Sequence, residues 1–175
     1  MLSDAVEAVW DFKELLRQHQ GTVFSIALHF LRDRATAEEV AQEVFLSLHR
    51  NLDRIETPAH AAAWLRKVAV QRSIDEGRRR SRRPQVALEE VAEPAAAVKP
   101  GDPLLSEMLR KLIATLPEAP RMAMVLRYQE DLEPAEIAAA LEMPVATVKS
   151  HLQRSLALLR EKLARRGVGE SGWTG

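Results

Sequence analysis

The chain of 175 residues contains no cysteine, which excludes disulfide bonds, thiolate metal sites and a cysteine nucleophile. Residues 1–7 are acidic and lack the basic and apolar segments of a secretory signal. No uninterrupted apolar stretch approaches the roughly 18 residues that a membrane span requires. We therefore expect a soluble, cytoplasmic protein that does not insert into a membrane.

Groups for catalysis or cofactor binding are also scarce. The five histidines are scattered without HExxH or other ligand spacing, and no glycine-rich phosphate loop is present. Acidic pairs such as Glu38 and Glu39 fall on predicted helix surfaces, where solvated charge is the usual state. Aromatic residues make up only 5% of the chain, which disfavours extensive stacking on single-stranded bases. The sequence thus predicts no enzymatic activity, no metal and no cofactor.

The net charge is zero, yet the charged residues are segregated along the chain. Residues 66–83 contain eight Arg or Lys against two acids, and residues 144–166 contain six against one. Between these segments, residues 84–107 carry five acids and one lysine. Two basic segments separated by an acidic one can hold phosphates at two places, so nucleic acid stays a candidate partner.

Apolar residues recur at helical spacing nearly throughout, and no segment shows sustained strand alternation, so the predicted fold class is all-α. We expect one small helical domain over residues 1–84 and a second over residues 104–166. Residues 85–103 are rich in Ala, Pro, Val and Glu and lack aromatics, which is typical of a flexible linker. Residues 167–175, with four glycines, are expected to form a disordered tail.

The first domain is expected to contain four helices. The first is predicted over residues 4–18, and Gly21 separates it from a second that ends before a break at residues 33–36. Thr36, with Glu39 three residues later, fits a capping box at the start of the third helix. Pro58 suits the first turn of a fourth helix, which ends before Pro84.

The third helix has two distinct faces. One is an apolar stripe with the i, i+3, i+4, i+7 spacing of buried residues: Ala37, Val40, Ala41, Val44, Phe45 and Leu48. The other is a mixed stripe formed by Glu39, Gln42, Glu43, Leu46 and Arg50. A leucine among charged residues is what a docking surface for another protein contains, and a solvated helix face is the alternative.

Residues 118–160 predict three helices, of which the last two form a helix-turn-helix. A short helix over residues 134–141 and a tight turn at 142–144 precede a longer helix that begins near Val145. The apolar side of the longer helix predicts burial of Val148, Leu152, Leu156, Leu159 and Leu163. Polar residues then lie on or beside its opposite side: Thr147, Lys149, Ser150, Gln153 and Arg154. Such side chains can reach base edges and phosphates in the major groove, although these helix pairs also occur as plain structural units.

The end of the fourth helix carries five arginines within six positions: Arg78, Arg79, Arg80, Arg82 and Arg83. This density is an electrostatic footprint for phosphate, and a solvated basic run is the alternative. Trp64, earlier in the same helix, is predicted to belong to the core rather than to a base-stacking platform.

Together these segments resemble the small, two-domain extracytoplasmic-function (ECF) type of bacterial RNA polymerase sigma factor, in the sigma-70 family. Residues 37–49, AEEVAQEVFLSLH, are similar to the family's clamp-docking helix. Residues 63–75, AWLRKVAVQRSID, with the arginines that follow, resemble its reader of the promoter element nearer the start site. Residues 116–128 and 135–150 resemble its second domain. The match extends from about residue 12 to residue 163, in the family's order.

The resemblance implies that the protein directs core RNA polymerase to promoter DNA under the control of an anti-sigma factor. Polymerase docking would then involve Glu39, Gln42, Glu43 and Leu46. The nearer promoter element would be engaged by Arg72 and the five arginines. The farther element would be read by Thr147, Lys149, Ser150, His151, Gln153 and Arg154. Two alternatives stay open: a sigma-like decoy that sequesters an anti-sigma factor, and a dimeric helix-turn-helix repressor.

Overall fold

The structure is a computed structural model that describes residues 11–83 and 103–167. Its elements in chain order are α1 (Phe12–Leu31), α2 (Arg34–Arg50), a 3₁₀ turn (Leu52–Arg54), α3 (Pro58–Ser81), α4 (Pro103–Ala114), α5 (Glu118–Tyr128), α6 (Pro134–Leu141) and α7 (Val145–Arg165). Every regular element within these ranges is helical, which confirms the predicted all-α fold class. None of the described helices combines the length and the apolarity needed to cross a lipid bilayer.

The chain divides into two compact units between Glu76 and Gly77, within α3. The sequence placed the boundary later, at residue 84. Residues 1–10, most of the proposed linker and most of the proposed tail lie outside the described residues. The domain limits, the linker and the tail therefore stay predictions.

α1 is one uninterrupted helix through Gly21, so the predicted separation of two helices at this glycine is wrong. A helical glycine costs roughly 1 kcal/mol relative to alanine. Apolar burial on both sides outweighs that cost, because each large side chain gains about 1.5–3 kcal/mol when fully buried. The buried residues of α1 are Leu15, Val23, Ile26, Ala27 and Phe30. The helix starts after Asp11, whose carboxylate accepts a hydrogen bond from the backbone N–H of Lys13 at 3.1 Å.

α2 is capped by Asp33 and not by Thr36, so the predicted capping box of Thr36 with Glu39 is wrong. The Asp33 carboxylate accepts hydrogen bonds from the backbone N–H of Thr36, at 3.2 Å, and from the Thr36 hydroxyl. Aspartate satisfies a first-turn N–H at least as well as threonine, so the helix begins three residues earlier. The predicted apolar stripe is buried except for the half-buried Ala41: Ala37, Val40, Val44, Phe45 and Leu48.

α3 begins at Pro58, as predicted, and contributes a further layer to the core of the first unit. Its buried residues there are Ala61, Leu65, Ala69, Val70 and Ser73. Trp64 is half-buried on the same helix. α3 also brings Arg66 close to His19 of α1. Burial of the imidazole, together with the positive charge of Arg66, lowers the pKa of His19.

The second unit comprises α4 to α7, with α7 packed against the other three helices. Its buried positions on α7 are Val148, Leu152, Ser155, Leu159 and Leu163. Leu156, which the sequence assigned to this side, is only half-buried. At 100° per residue, Ser155 lies about 20° from Val148 around the helix, whereas Leu156 lies about 80° from it. The serine therefore occupies the centre of the packed stripe and the leucine its edge.

Candidate functional site

The mixed stripe of α2 is solvent-exposed, and we call its four predicted contact residues the α2 face: Glu39, Gln42, Glu43 and Leu46. Leu46 is 56% exposed, the highest value among the large apolar side chains of the described ranges. The opposite side of α2 is buried through Val40, Val44 and Leu48, which fixes the orientation of the face. The structure thus brings the four residues together on one rigid helical surface.

Arg72 of α3 reaches the α2 face. Its Nη1 atom lies 3.6 Å from Oε2 of Glu43, and the two side chains are 48% and 60% exposed. An exposed ion pair of this kind contributes about 0–1 kcal/mol. The pair therefore orients Arg72 weakly and leaves its guanidinium accessible to a phosphate.

The arginine run occupies the C-terminal end of α3 and the residues that follow it. Arg78, Arg79 and Arg80 belong to the last turn of the helix, while Arg82 and Arg83 come after its final residue. All five side chains are exposed. Cations at a helix C-terminus interact favourably with the helix dipole, which makes this a stable place for clustered positive charge.

α6 and α7 lie at the positions predicted for the helix-turn-helix, separated by residues 142–144. Before α6, the Glu136 carboxylate accepts a hydrogen bond from the backbone N–H of Glu133 at 3.0 Å, as part of a capping box. After α6, Glu142 adopts a left-handed φ of 53°, and the Met143 N–H donates to the Ala138 carbonyl at 3.1 Å. Both ends of the short helix are thereby closed by local hydrogen bonds, which sets the direction in which α7 starts.

Arg127, near the end of α5, holds the loop that leads into α6. Its Nη1 atom donates to the Leu132 carbonyl at 3.0 Å and to Oε1 of Glu133 at 2.8 Å. The hydrogen bond to Glu133, reinforced by the charge of that carboxylate, raises the pKa of Arg127. Sequence reasoning missed this residue because its partners lie in an irregular loop, where no periodic pattern signals a contact.

α7 presents its polar residues away from the buried stripe, and we call the six predicted DNA contacts the α7 face: Thr147, Lys149, Ser150, His151, Gln153 and Arg154. Lys149, Gln153 and Arg154 are exposed, while the other three are half-buried. His151 lies nearest the packed stripe, about 60° from Val148 around the helix. The α7 face therefore combines two exposed cations with short polar side chains, a set that suits phosphates and base edges.

Two models of one protein family match the chain. The model for Sigma-70 region 2 matches residues 15–83, and the model for Sigma-70, region 4 matches residues 106–159. The first match covers most of α1 to α3 with the arginine run. The second covers most of α4 to α7, including the α7 face.

Several curated relatives align over most of their own length. The ECF RNA polymerase sigma factor SigW of Bacillus subtilis (strain 168) is 29% identical over 167 residues, covering 87% of this chain and 88% of SigW. The ECF RNA polymerase sigma-E factor of Escherichia coli (strain K12) is 32% identical over 165 residues, covering 87% and 86%. The RNA polymerase sigma-E factor of Streptomyces coelicolor is 31% identical over 165 residues, covering 91% and 90%.

Two solved structures share the fold. CnrH, solved in complex with the cytosolic domain of CnrY, has a TM-score of 0.65 and 21% identity, with 88% of each chain covered. The sigma factor RpoE from Bartonella quintana, solved in complex with the anti-sigma factor NepR, has a TM-score of 0.68 and 23% identity, with 88% of this chain and 97% of the matched chain covered.

The fold and the two matched regions define a transcription initiation factor. The chain belongs to the sigma-70 family of RNA polymerase sigma factors, and its relatives place it with the ECF type. It is accordingly a sigma factor, which directs core RNA polymerase to promoters for transcription initiation. The family predicted from the sequence is confirmed.

Proposed function

We propose that the two domains predicted from the sequence, residues 1–84 and 104–166, divide promoter recognition between them. The first domain docks on core RNA polymerase through the α2 face and contacts the promoter element nearer the start site through α3 and the arginine run. The second domain reads the farther element in duplex DNA through the α7 face. The protein itself has no catalytic activity and acts in the cytoplasm.

The exposure of Leu46 is the main observation that supports polymerase docking at the α2 face. A leucine that is 56% exposed among three polar residues leaves apolar surface in water, and its burial in an interface gains about 1.5–3 kcal/mol at most. An apolar anchor surrounded by polar side chains is the usual anatomy of an interaction hot spot. Glu39 and Glu43 carry negative charge beside Leu46, and Arg72 offsets part of the charge of Glu43. Basic groups on the polymerase would complement the charge that is left.

The exposed arginines of α3 support contact with the nearer promoter element. Arg72 and the arginine run supply guanidinium groups, which bind phosphate oxygens in bidentate geometry. Within the run, Arg78 donates to both carboxylate oxygens of Glu118, at 2.6 and 2.9 Å, so it would exchange this partner for a phosphate. Arg72 and the first three arginines of the run follow Trp64 along α3, and Arg82 and Arg83 come directly after the helix. Phosphate contacts of this kind position a protein on DNA without reading its sequence.

The α7 face supports contact with the farther element. Its helix follows α6 after a three-residue turn, the arrangement in which a second helix enters the major groove. Lys149 and Arg154 would bind phosphate or guanine, and Thr147 with Ser150 would approach base edges near the start of the helix. The packed opposite side of α7 would hold these groups in a fixed register.

We further propose that an anti-sigma factor regulates the protein by covering the same surfaces. One of the structures with this fold, RpoE, is a complex with the anti-sigma factor NepR, and another, CnrH, is a complex with the cytosolic domain of CnrY. A regulator seated on Leu46 would exclude the polymerase because both partners need the same surface.

Leu46→Glu tests the docking proposal. Because the side chain is exposed, the fold should persist, whereas a carboxylate at the interface centre should weaken binding to core polymerase at least about 30-fold, equivalent to about 2 kcal/mol. Binding is measured by pull-down and titration with purified core polymerase, and folding by circular dichroism. Leu158→Glu is the matched control, since Leu158 is an exposed leucine of α7 (38%) outside the α2 face. Unchanged affinity for polymerase in Leu46→Glu contradicts the proposal.

A further inference from the structure

The ion pair between Arg72 and Glu43 joins the surface proposed for DNA to the surface proposed for polymerase. Arg72 belongs to the proposed promoter contact of α3, and Glu43 belongs to the α2 face. The Arg72 Nη1 atom lies 3.6 Å from Glu43 Oε2, so each side chain holds the charge that an outside partner would bind. A DNA phosphate and a basic group of the polymerase would therefore each compete with an interaction inside the protein.

The backbone positions that carry the pair are held by the core of the first unit. Val44, next to Glu43, and Ser73, next to Arg72, are both 0% exposed. The side chains of Glu43 and Arg72 themselves are 60% and 48% exposed. Separation of the pair therefore needs only the rotation of two side chains at the surface, and neither helix has to move.

Competition at one shared pair makes two binding events cooperative. A basic group that binds Glu43 releases Arg72, whose guanidinium can then bind a phosphate without first breaking the pair. The converse holds for a phosphate that binds Arg72. Because the coupling is thermodynamic, each partner raises the affinity for the other by the same factor. The small contribution of an exposed ion pair limits this factor to about fivefold.

We propose that the ion pair between Arg72 and Glu43 couples the binding of DNA to the binding of polymerase. In the free protein, Glu43 competes with phosphate for Arg72 and lowers the affinity for DNA. A basic group of the polymerase that binds Glu43 removes this competition. The inference rests on the proposed contacts of the α2 face with polymerase and of Arg72 with DNA, and it adds the regulation of one contact by the other.

Glu43→Gln tests the proposal, because it removes the charge of the carboxylate and keeps the size of the side chain. Fluorescence anisotropy measures the affinity of the free protein for a labelled promoter fragment. The affinity of Glu43→Gln should exceed that of the parent about two- to fivefold. The same change made together with Arg72→Gln should give no such gain over Arg72→Gln alone.

Glu38→Gln is the matched control for the loss of one negative charge. Glu38 is an exposed acid of α2 that pairs at 3.0 Å with Arg34, which lies outside the proposed DNA contacts. Its replacement should raise the affinity for DNA less than Glu43→Gln does. The measurement is then repeated with saturating core polymerase. Glu43 of the parent is then engaged by the polymerase, so the parent and Glu43→Gln holoenzymes should bind the promoter fragment with equal affinity.

The outcomes separate this inference from the proposed function beneath it. If Arg72→Gln leaves the affinity for DNA unchanged in the free protein and in the holoenzyme, the proposed DNA contact of Arg72 and the coupling are both overturned. If Arg72→Gln weakens DNA binding but Glu43→Gln gains no more than Glu38→Gln, the coupling alone is overturned. A gain for Glu43→Gln that persists in the holoenzyme also overturns the coupling, because the polymerase would then leave the pair intact.

Discussion

Removal of the two exposed cations of the α7 face gives a quantitative test of its proposed contact with DNA. Lys149 and Arg154 are both exposed, and they are five residues apart, about 7.5 Å along the helix axis. We expect Lys149→Ala and Arg154→Ala each to remove one phosphate contact. Neither change touches the buried stripe of α7, so the second unit should remain folded.

The expected magnitude follows from counterion release. Each phosphate neutralised by a side chain contributes about 0.9 to the slope of log affinity against log salt concentration. At about 0.1 M salt, loss of one side chain should therefore lower the affinity for DNA about eightfold, and loss of both should lower it about 60-fold. The slope of the double variant should therefore be shallower than that of the parent by about 1.8.

The assay is fluorescence anisotropy of a labelled promoter fragment titrated with holoenzyme, assembled from core polymerase and each variant, over a series of salt concentrations. Arg165→Ala is the control, because Arg165 pairs with Glu161 at 2.5 Å and lies about 16 Å beyond Arg154 along α7. It should leave the slope unchanged. A double variant with the slope of the parent would refute phosphate contact by the α7 face.

Two further predictions concern the first unit. Asp33→Ala removes the cap of α2 and should lower the stability of the first unit by about 1 kcal/mol, or roughly 4–8 °C in melting temperature. Asp33→Asn keeps the hydrogen-bond acceptor and should leave the stability nearly unchanged. Calorimetry measures both melting temperatures, and equal values for the two variants would contradict the prediction. Burial and the charge of Arg66 lower the pKa of His19, so the folded state favours the neutral imidazole. The contribution of His19 to the free energy of unfolding should therefore be complete above pH 6.5, the ordinary pKa of histidine, and should fall as the pH drops below that value. His19→Gln should flatten this decline in denaturant titrations, whereas His60→Gln, at an exposed position, should not; identical pH profiles for both variants would contradict the assignment.

The helix-turn-helix of the second unit was predictable because its signals are local. Pro134 suits a first helical position, and the apolar spacing of α7 holds for several turns. Predicted residues 134–141 match α6, and Val145 begins α7. Ser155 was missed because a small polar residue carries no signal of burial, although its place in the packed stripe follows from the helical repeat.

The errors in the first unit arose where local signals compete with packing or with one another. Glycine is a weak helix former, so Gly21 was expected to interrupt the helix. The apolar residues buried before and after it keep α1 continuous. Asp33 and Thr36 both suit an N-cap, and only the backbone geometry shows which residue the helix follows. In such cases the periodicity of apolar residues predicts that a helix is present more reliably than it predicts where the helix begins and ends.

The candidate site was predictable as a set of surfaces and not as a set of contacts. Helical periodicity predicted that Leu46 and the acids beside it share one face, because that follows from the sequence alone. The pairing of Glu43 with Arg72 depends on how α2 packs near α3. Likewise, the hydrogen bond from Arg127 to the loop before α6 depends on the position of a backbone carbonyl, which no sequence pattern predicts. The roles of these residues in binding polymerase and DNA stay predictions.

Transcription in vitro tests the central claim most directly. Purified core RNA polymerase is combined with genomic template, with and without the protein, and the 5′ ends of the transcripts are mapped. The account predicts initiation at a defined set of promoters only when the protein is present, with loss of these transcripts for Leu46→Glu. Absence of promoter-specific initiation with the folded protein would contradict the account and favour a decoy that binds an anti-sigma factor.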